Sequence, residues 1–190
     1  MSEQFVIAHC SPTLAGIKTG NLFPVKVKKG ADINEEIRSL NRVLREKGLR
    51  VVPVKRRADS VLLYIYRPSF LEKDLQDPEA LRILKKKGYS CKSTVNALAE
   101  LMRHMAADEE FPHEVGLFLG YPPSDVQSFM DSSRKGVKCT GCWKAYSNKE
   151  GAEETFRKYK RCTEKYKLLY KKGSPLTELA VVTDTPAVIF

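Results

Sequence analysis

Leu49-Arg50-Val51-Val52-Pro53-Val54-Lys55-Arg56-Arg57-Ala58-Asp59-Ser60-Val61-Leu62-Leu63-Tyr64-Ile65-Tyr66 is the stretch that decides the fold. Two runs rich in β-branched and aromatic residues, 49–54 and 60–66, flank a polar segment from Lys55 to Asp59 whose length suits an antiparallel hairpin. Pro53 cannot donate to a ladder, so the first run is expected at a sheet edge or a bulge.

Upstream of the hairpin, Ile33, Ile37, Leu40, Val43 and Leu44 recur at helical spacing behind an Asp32 or Asn34 cap, and Gly48 stops the helix. Leu22 to Val27 reads as a strand entered through Pro24. Before it, Ser11 as N-cap and Pro12 as first helical residue predict a short helix that begins there and ends at Asn21. Downstream, Pro68 opens a helical turn through Leu71 and Leu75, and Asp77-Pro78 starts a helix that ends near Gly88. A further amphipathic helix spans Ser93 to about Ala107. Ser124 or Asp125 is expected to cap the next, and a strand near 142–146 precedes a long helix from Asn148 to about Lys172. Strands and helices in separate blocks give an α+β domain over 1–172, a small, mostly antiparallel sheet of about four strands covered by helices. The tail, 173–190, is apolar at Leu179–Val182 and Ala187–Phe190, and reads either as an added strand or as chain without fixed structure.

The 190 residues are 42% hydrophobic, enough for one sizeable core, and no Gly/Ser-rich or Pro-rich linker divides them. No segment has the length of a membrane span, and the N-terminal apolar run is too short for a signal peptide. Five cysteines without such a signal fit a reducing cytoplasm. The net charge of +10 lies at the ends: residues 1–60 carry 12 basic and 6 acidic side chains, residues 131–190 carry 13 and 7, and the middle carries 8 and 10. Lys28-Lys29, Lys55-Arg56-Arg57, Lys85-Lys86-Lys87 and the last long helix therefore form either a positive docking face or a solvated surface. The partner such a face fits is an acidic protein, such as a small electron carrier, or nucleic acid. No Gly-rich phosphate loop with its Lys-Ser/Thr occurs, nor a His-Glu-x-x-His zinc motif.

Phe111 to Val126 concentrates three prolines, Gly116, Gly120 and a buried-type run Leu117-Phe118-Leu119 behind His113 and Glu114, and is expected to wall a pocket. If Cys10 precedes a helix N-terminus, the dipole and Lys18 favour its thiolate, and His113 could serve as base, with Glu114 or Asn21 to orient it. That constellation would suit acyl transfer or peptide hydrolysis. The same residues also read as packing, with Cys10 a small buried hydrophobe and His113 a core residue. Cys139-Thr140-Gly141-Cys142 supplies half of a zinc site or a redox pair, and Cys91, Cys162, His104 and His113 could complete a zinc site only if the fold brings them close.

Four segments carry a family resemblance: His9 to Lys18, Tyr66-Arg67-Pro68, Phe111 to Val126, and Trp143-Lys144-Ala145-Tyr146. On these the chain resembles the uncharacterised bacterial family named domain of unknown function 3793, up to about residue 172. The resemblance implies no activity. The expectation is a binding or accessory protein with a basic docking face, with thiol chemistry as the enzymatic alternative and nucleic-acid binding as the third.

Overall fold

In the computed structural model of the chain, residues 2–27, 30, 32–107, 111–131 and 136–182 are described. Lys28-Lys29 and the apolar end Ala187–Phe190 lie outside them. The α+β class holds, and contacts cluster into two compact units. The first is Met1–Ser69 with Tyr159–Phe190, and the second is Phe70–Lys158.

The first unit is built on three antiparallel strands, β1 (Gly20–Lys26), β2 (Arg50–Arg56) and β3 (Ser60–Tyr66), in the order β1-β3-β2. Strand alternation puts Phe23 and Val25 opposite Leu63 and Val61, and Val51 opposite Ile65, all on the face that joins the core. Each edge strand holds a proline, Pro24 in β1 and Pro53 in β2, and the β2 register shifts between Pro53 and Lys55. Pro53 thus lies both on an edge and at an irregularity. Four helices complete the core: α1 (Glu3–Leu14), α2 (Ile33–Arg45), the later part of α8 (Lys149–Lys171) and α9 (Leu176–Leu179). Asp32 caps α2 by accepting from the Asn34 and Glu35 amides, and Gly48, at φ +73°, turns the chain out of it.

Two local expectations change. The first helix starts at Ser2, whose hydroxyl accepts from the Phe5 amide, and Ser11 and Pro12 fall inside it. Val6, Ile7, Cys10 and Leu14 make one buried stripe, so burial sets the length of α1. Pro12 sits in the last turn and forgoes only the bond to the Ala8 carbonyl. The chain beyond 172 forms neither a strand nor loose coil where it is described: Leu176, Leu179 and Ala180 are buried in the core.

Arg67 follows β3 and is wholly buried. Its Nε donates to the Thr13 carbonyl (2.8 Å), Nη2 to those of Leu14 (2.7 Å) and Val181 (2.9 Å), and Nη1 to that of Lys47 (3.1 Å). A cation is well placed there, because the last carbonyls of α1 lack helical partners and carry the negative end of its dipole. Burial draws the guanidinium pKa down to about 10, against the opposing effect of Tyr166, so it stays charged at neutral pH.

The second unit is helical: the rest of α3 (Pro68–Leu75), α4 (Pro78–Lys86), α5 (Thr94–Ala107), α6 (Val115–Phe118), α7 (Pro123–Asp131) and the start of α8. Asp77 caps α4 through the Glu79 and Ala80 amides. Among the described residues the fourth expected strand joins no larger sheet. It is β5 (Lys144–Ala145), paired only with β4 (Cys139–Thr140) in a short hairpin. Among the described residues no helix is long and apolar enough to cross a membrane.

Replacing Arg67 by Met keeps the buried stem but removes the guanidinium from four carbonyls; those of Thr13 and Leu14 retain a bond from the Gly16 and Val181 amides, whereas those of Lys47 and Val181 lose the donor described here. A loss of about 3–5 kcal/mol is expected, the range for stripping a partner from a buried charged network. Lys should restore only part of it, since an ammonium cannot present the planar fork. Urea denaturation midpoints of the three proteins check this.

Candidate functional site

The second unit holds a cavity of about 450 Å³ walled by the Phe111–Val126 segment, α7 and the β4–β5 hairpin. Sequence dictates how its floor is made. Gly116 lies where α6 meets α7, and a Cβ there would stand 2.8 Å from Val126 Cγ2 and 3.2 Å from Tyr121 Cδ2. Gly120, at φ +73°, then turns the chain so that the Tyr121 amide bonds the Gly116 carbonyl (3.0 Å). Pro123 is the first residue of α7, as its fixed φ favours. Ser124 and Asp125 therefore lie inside the first turn and do not cap it.

Asp125 is 3% exposed, and its carboxylate is spent on the hairpin instead. Oδ1 accepts from the Tyr146 amide (2.9 Å), the Ser147 amide (3.0 Å) and the Ser147 hydroxyl (2.9 Å), while Oδ2 accepts from the Trp143 indole (2.9 Å). Burial alone would raise its pKa, but these four donors together hold it below the ordinary aspartate value. The network also fixes Trp143, which stacks on Tyr121 (centroids 5.1 Å apart) and meets Phe156 edge-on (4.5 Å). Gly141 lets this happen, since a Cβ there would fall within 2.6 Å of the Phe156 ring. Elsewhere in the wall His113 stands perpendicular to Phe129 at 4.8 Å, and Lys144 Nζ lies 5.3 Å from the centre of the Phe129 ring. The lining is thus mostly aromatic and aliphatic, with one lysine and a fully engaged carboxylate.

The residues expected to act together have different surroundings. Cys10 is in the third turn of α1, fully buried in the first unit, and burial pushes its thiol pKa far up despite Lys18. The helix-start setting that would favour a thiolate is absent. Asn21, in β1 of the same unit, accepts at Oδ1 from the Thr13 hydroxyl (2.9 Å). His113 is in the second unit at the cavity, exposed. Its neighbour Glu114 is 3% exposed; its Oε1 accepts from the Tyr89 hydroxyl (3.0 Å) and lies 3.1 Å from His104 Nδ1. Glu114 therefore serves His104 and Tyr89. Burial, and then the charge of Glu114, push the Tyr89 pKa up.

Cys139 and Cys142 lie in the hairpin, Cys142 exposed and Cys139 with its sulfur 3.8 Å from the Lys149 carbonyl oxygen. No disulfide joins any of the five cysteines. Among the described residues no group of three or more His, Cys, Asp or Glu side chains is arranged to hold a metal ion, so the pair has no zinc-completing ligands there. The sequence marked the Phe111–Val126 wall but offered Asp125 only as one of two helix caps and gave Phe129 and Lys144 no part in the site. No adjacent residue marks Asp125 for this role, because its partners lie 18–22 residues away.

The family model described as protein of unknown function (DUF3793) matches residues 6–180, a span that includes all four resemblance segments and runs on through α9. No curated protein and no solved structure matches the chain.

Asp125→Asn keeps the shape but turns an NH2 toward groups that donate, and should cost about 1.5–3 kcal/mol at neutral pH. The native pKa of Asp125 is depressed, so its stabilisation is complete above the unfolded value of about 4 and is lost as pH falls through the native one. The gap in unfolding free energy between wild type and variant should therefore stay constant from pH 7 to about 5 and close in stronger acid. Denaturant titrations across that range, read by Trp143 emission, measure it.

Proposed function

For a chain that belongs to the DUF3793 family of proteins of unknown function, we propose a binding role, with a small ring-bearing apolar ligand held in the cavity beside Trp143. The observation that carries this reading is a cavity of ligand size whose aromatic wall is held in place by the Asp125 network. Ligand sites are typically apolar clefts of about 300–1,000 Å³ with a few fixed polar groups, and this one falls within that range. Preorganised rings also spare the ligand the cost of ordering side chains on binding. Thiol catalysis at Cys10 has less in its favour, because the sulfur is wholly buried and its thiol is held protonated.

Trp143 is the sole tryptophan, so binding reports itself. Titration with N-phenyl-1-naphthylamine should give one site per chain, with dye enhancement and Trp143 quenching at the same midpoint. Thr140→Phe, which enlarges a wall residue, should weaken binding about tenfold, or 1.4 kcal/mol. Dye that binds without quenching Trp143, or equally to Thr140→Phe, would remove this reading.

A second reading concerns α8 and keeps the basic docking face. Tyr159, Cys162 and Tyr166 are buried, whereas Lys160, Lys167 and Lys171 form an exposed row interrupted by Glu164, with Lys172 just past the helix end. Such a row fits an acidic protein, for instance a small electron carrier in a reducing cytoplasm, in keeping with five cysteines and no disulfide. Association with an acidic flavodoxin-type carrier should weaken steeply between 50 and 200 mM salt and fall in a Lys160→Glu/Lys167→Glu variant; these concentrations bracket about 0.15 M, where screening is already substantial. Tighter binding to random DNA under the same conditions would favour nucleic acid instead.

A further inference from the structure

We propose that the ligand of the Trp143 cavity is an aromatic carboxylate, with its ring among Tyr121, Phe129 and Trp143 and its acid group on Lys144. The inference rests on the binding role above and names the chemical class that the site takes. Three observations converge on it.

Among the described residues the cavity wall contains one carboxylate, Asp125, and one ammonium, Lys144, and they are not equivalent. Both Asp125 oxygens are occupied by donors from the protein itself, so that carboxylate has little left to offer a ligand and its charge is already compensated. Among the described residues Lys144 is the only lysine or arginine of the wall, and no carboxylate pairs with it. Its Nζ rests instead 5.3 Å from the Phe129 ring centre, a contact that leaves the ammonium's donors open to an anion. A charge-assisted bond in a largely apolar enclosure is stronger than its counterpart in water, so the site should discriminate in favour of an acid.

The walls favour a planar body over an acyl chain. The indole is fixed by its bond to Asp125 and stacked on Tyr121, and Phe129, half-buried, meets the His113 ring edge-to-face. Rigid rings at fixed angles gain from offset or edge contacts with another ring, a gain that a flexible chain does not match and must offset by losing its own rotamer freedom.

The test compares 2-naphthoate, the neutral 2-naphthalenemethanol and decanoate by Trp143 quenching and calorimetry. Wild type should bind 2-naphthoate at least tenfold more tightly than the alcohol or decanoate, with the preference over the alcohol shrinking as salt rises. Lys144→Met should bind both naphthalenes with similar affinity, and Lys144→Arg should keep most of the preference. Equal wild-type affinity for the acid and the alcohol overturns the inference, as does a preference that survives in Lys144→Met. Tighter binding of decanoate overturns its aromatic half. The wild-type comparison decides the matter even if a Lys144 variant does not fold. Failure of every probe, N-phenyl-1-naphthylamine included, would instead remove the cavity-binding role itself.

Discussion

The first unit depends on one buried guanidinium. Arg67 gathers carbonyls from the end of α1, the turn after α2 and the segment beyond α9, the last of these 114 residues away in sequence. Each of those carbonyls sits where regular hydrogen bonding stops, and a buried acceptor left without a donor costs free energy. A planar group with five donors can serve several such chain ends from one position. Val181, the residue just past the end of the family match at 180, is thus held by the same side chain that terminates the first helix.

The second unit solves the mirror problem with an anion. Asp125 offers two oxygens to a hairpin too short to stabilise itself, and its four bonds fix both the backbone after β5 and the plane of Trp143. Glu114 does similar work one segment away, tying Tyr89 and His104 together. In both cases a buried charge sets the geometry of aromatic rings. Rings held this way form a wall with fixed shape, which a purely apolar contact would leave freer to repack.

Much of the fold was legible because it is written in local chemistry. The Asp32 cap, the Gly48 stop, the 49–66 hairpin and the behaviour of Pro53 each follow from a few adjacent residues. Ser11-Pro12 misled for the same reason: it is a good helix start by local rules, but Ser2 also caps and a buried stripe from Val6 to Leu14 outweighs the loss of one backbone bond. The site was only half legible. Its Phe111–Val126 wall announced itself through glycines and prolines, whereas the roles of Asp125, Lys144, His104 and Glu114 are set by neighbours distant in sequence. Pairing Cys10 with His113 drew on residue type, on a pocket expected at His113 and on a helix start that the structure moves from Ser11 to Ser2. Type says nothing about burial, and burial decides the state of a thiol.

Pro24 and Pro53 occupy the two rims of the sheet, and each deprives its strand of a donor and adds a ring where a neighbour would approach. Among the described residues three strands therefore make a finished ladder. A foreign strand cannot be templated along either rim in unbroken register, so the route by which exposed sheets grow into cross-β fibres is obstructed at its first step.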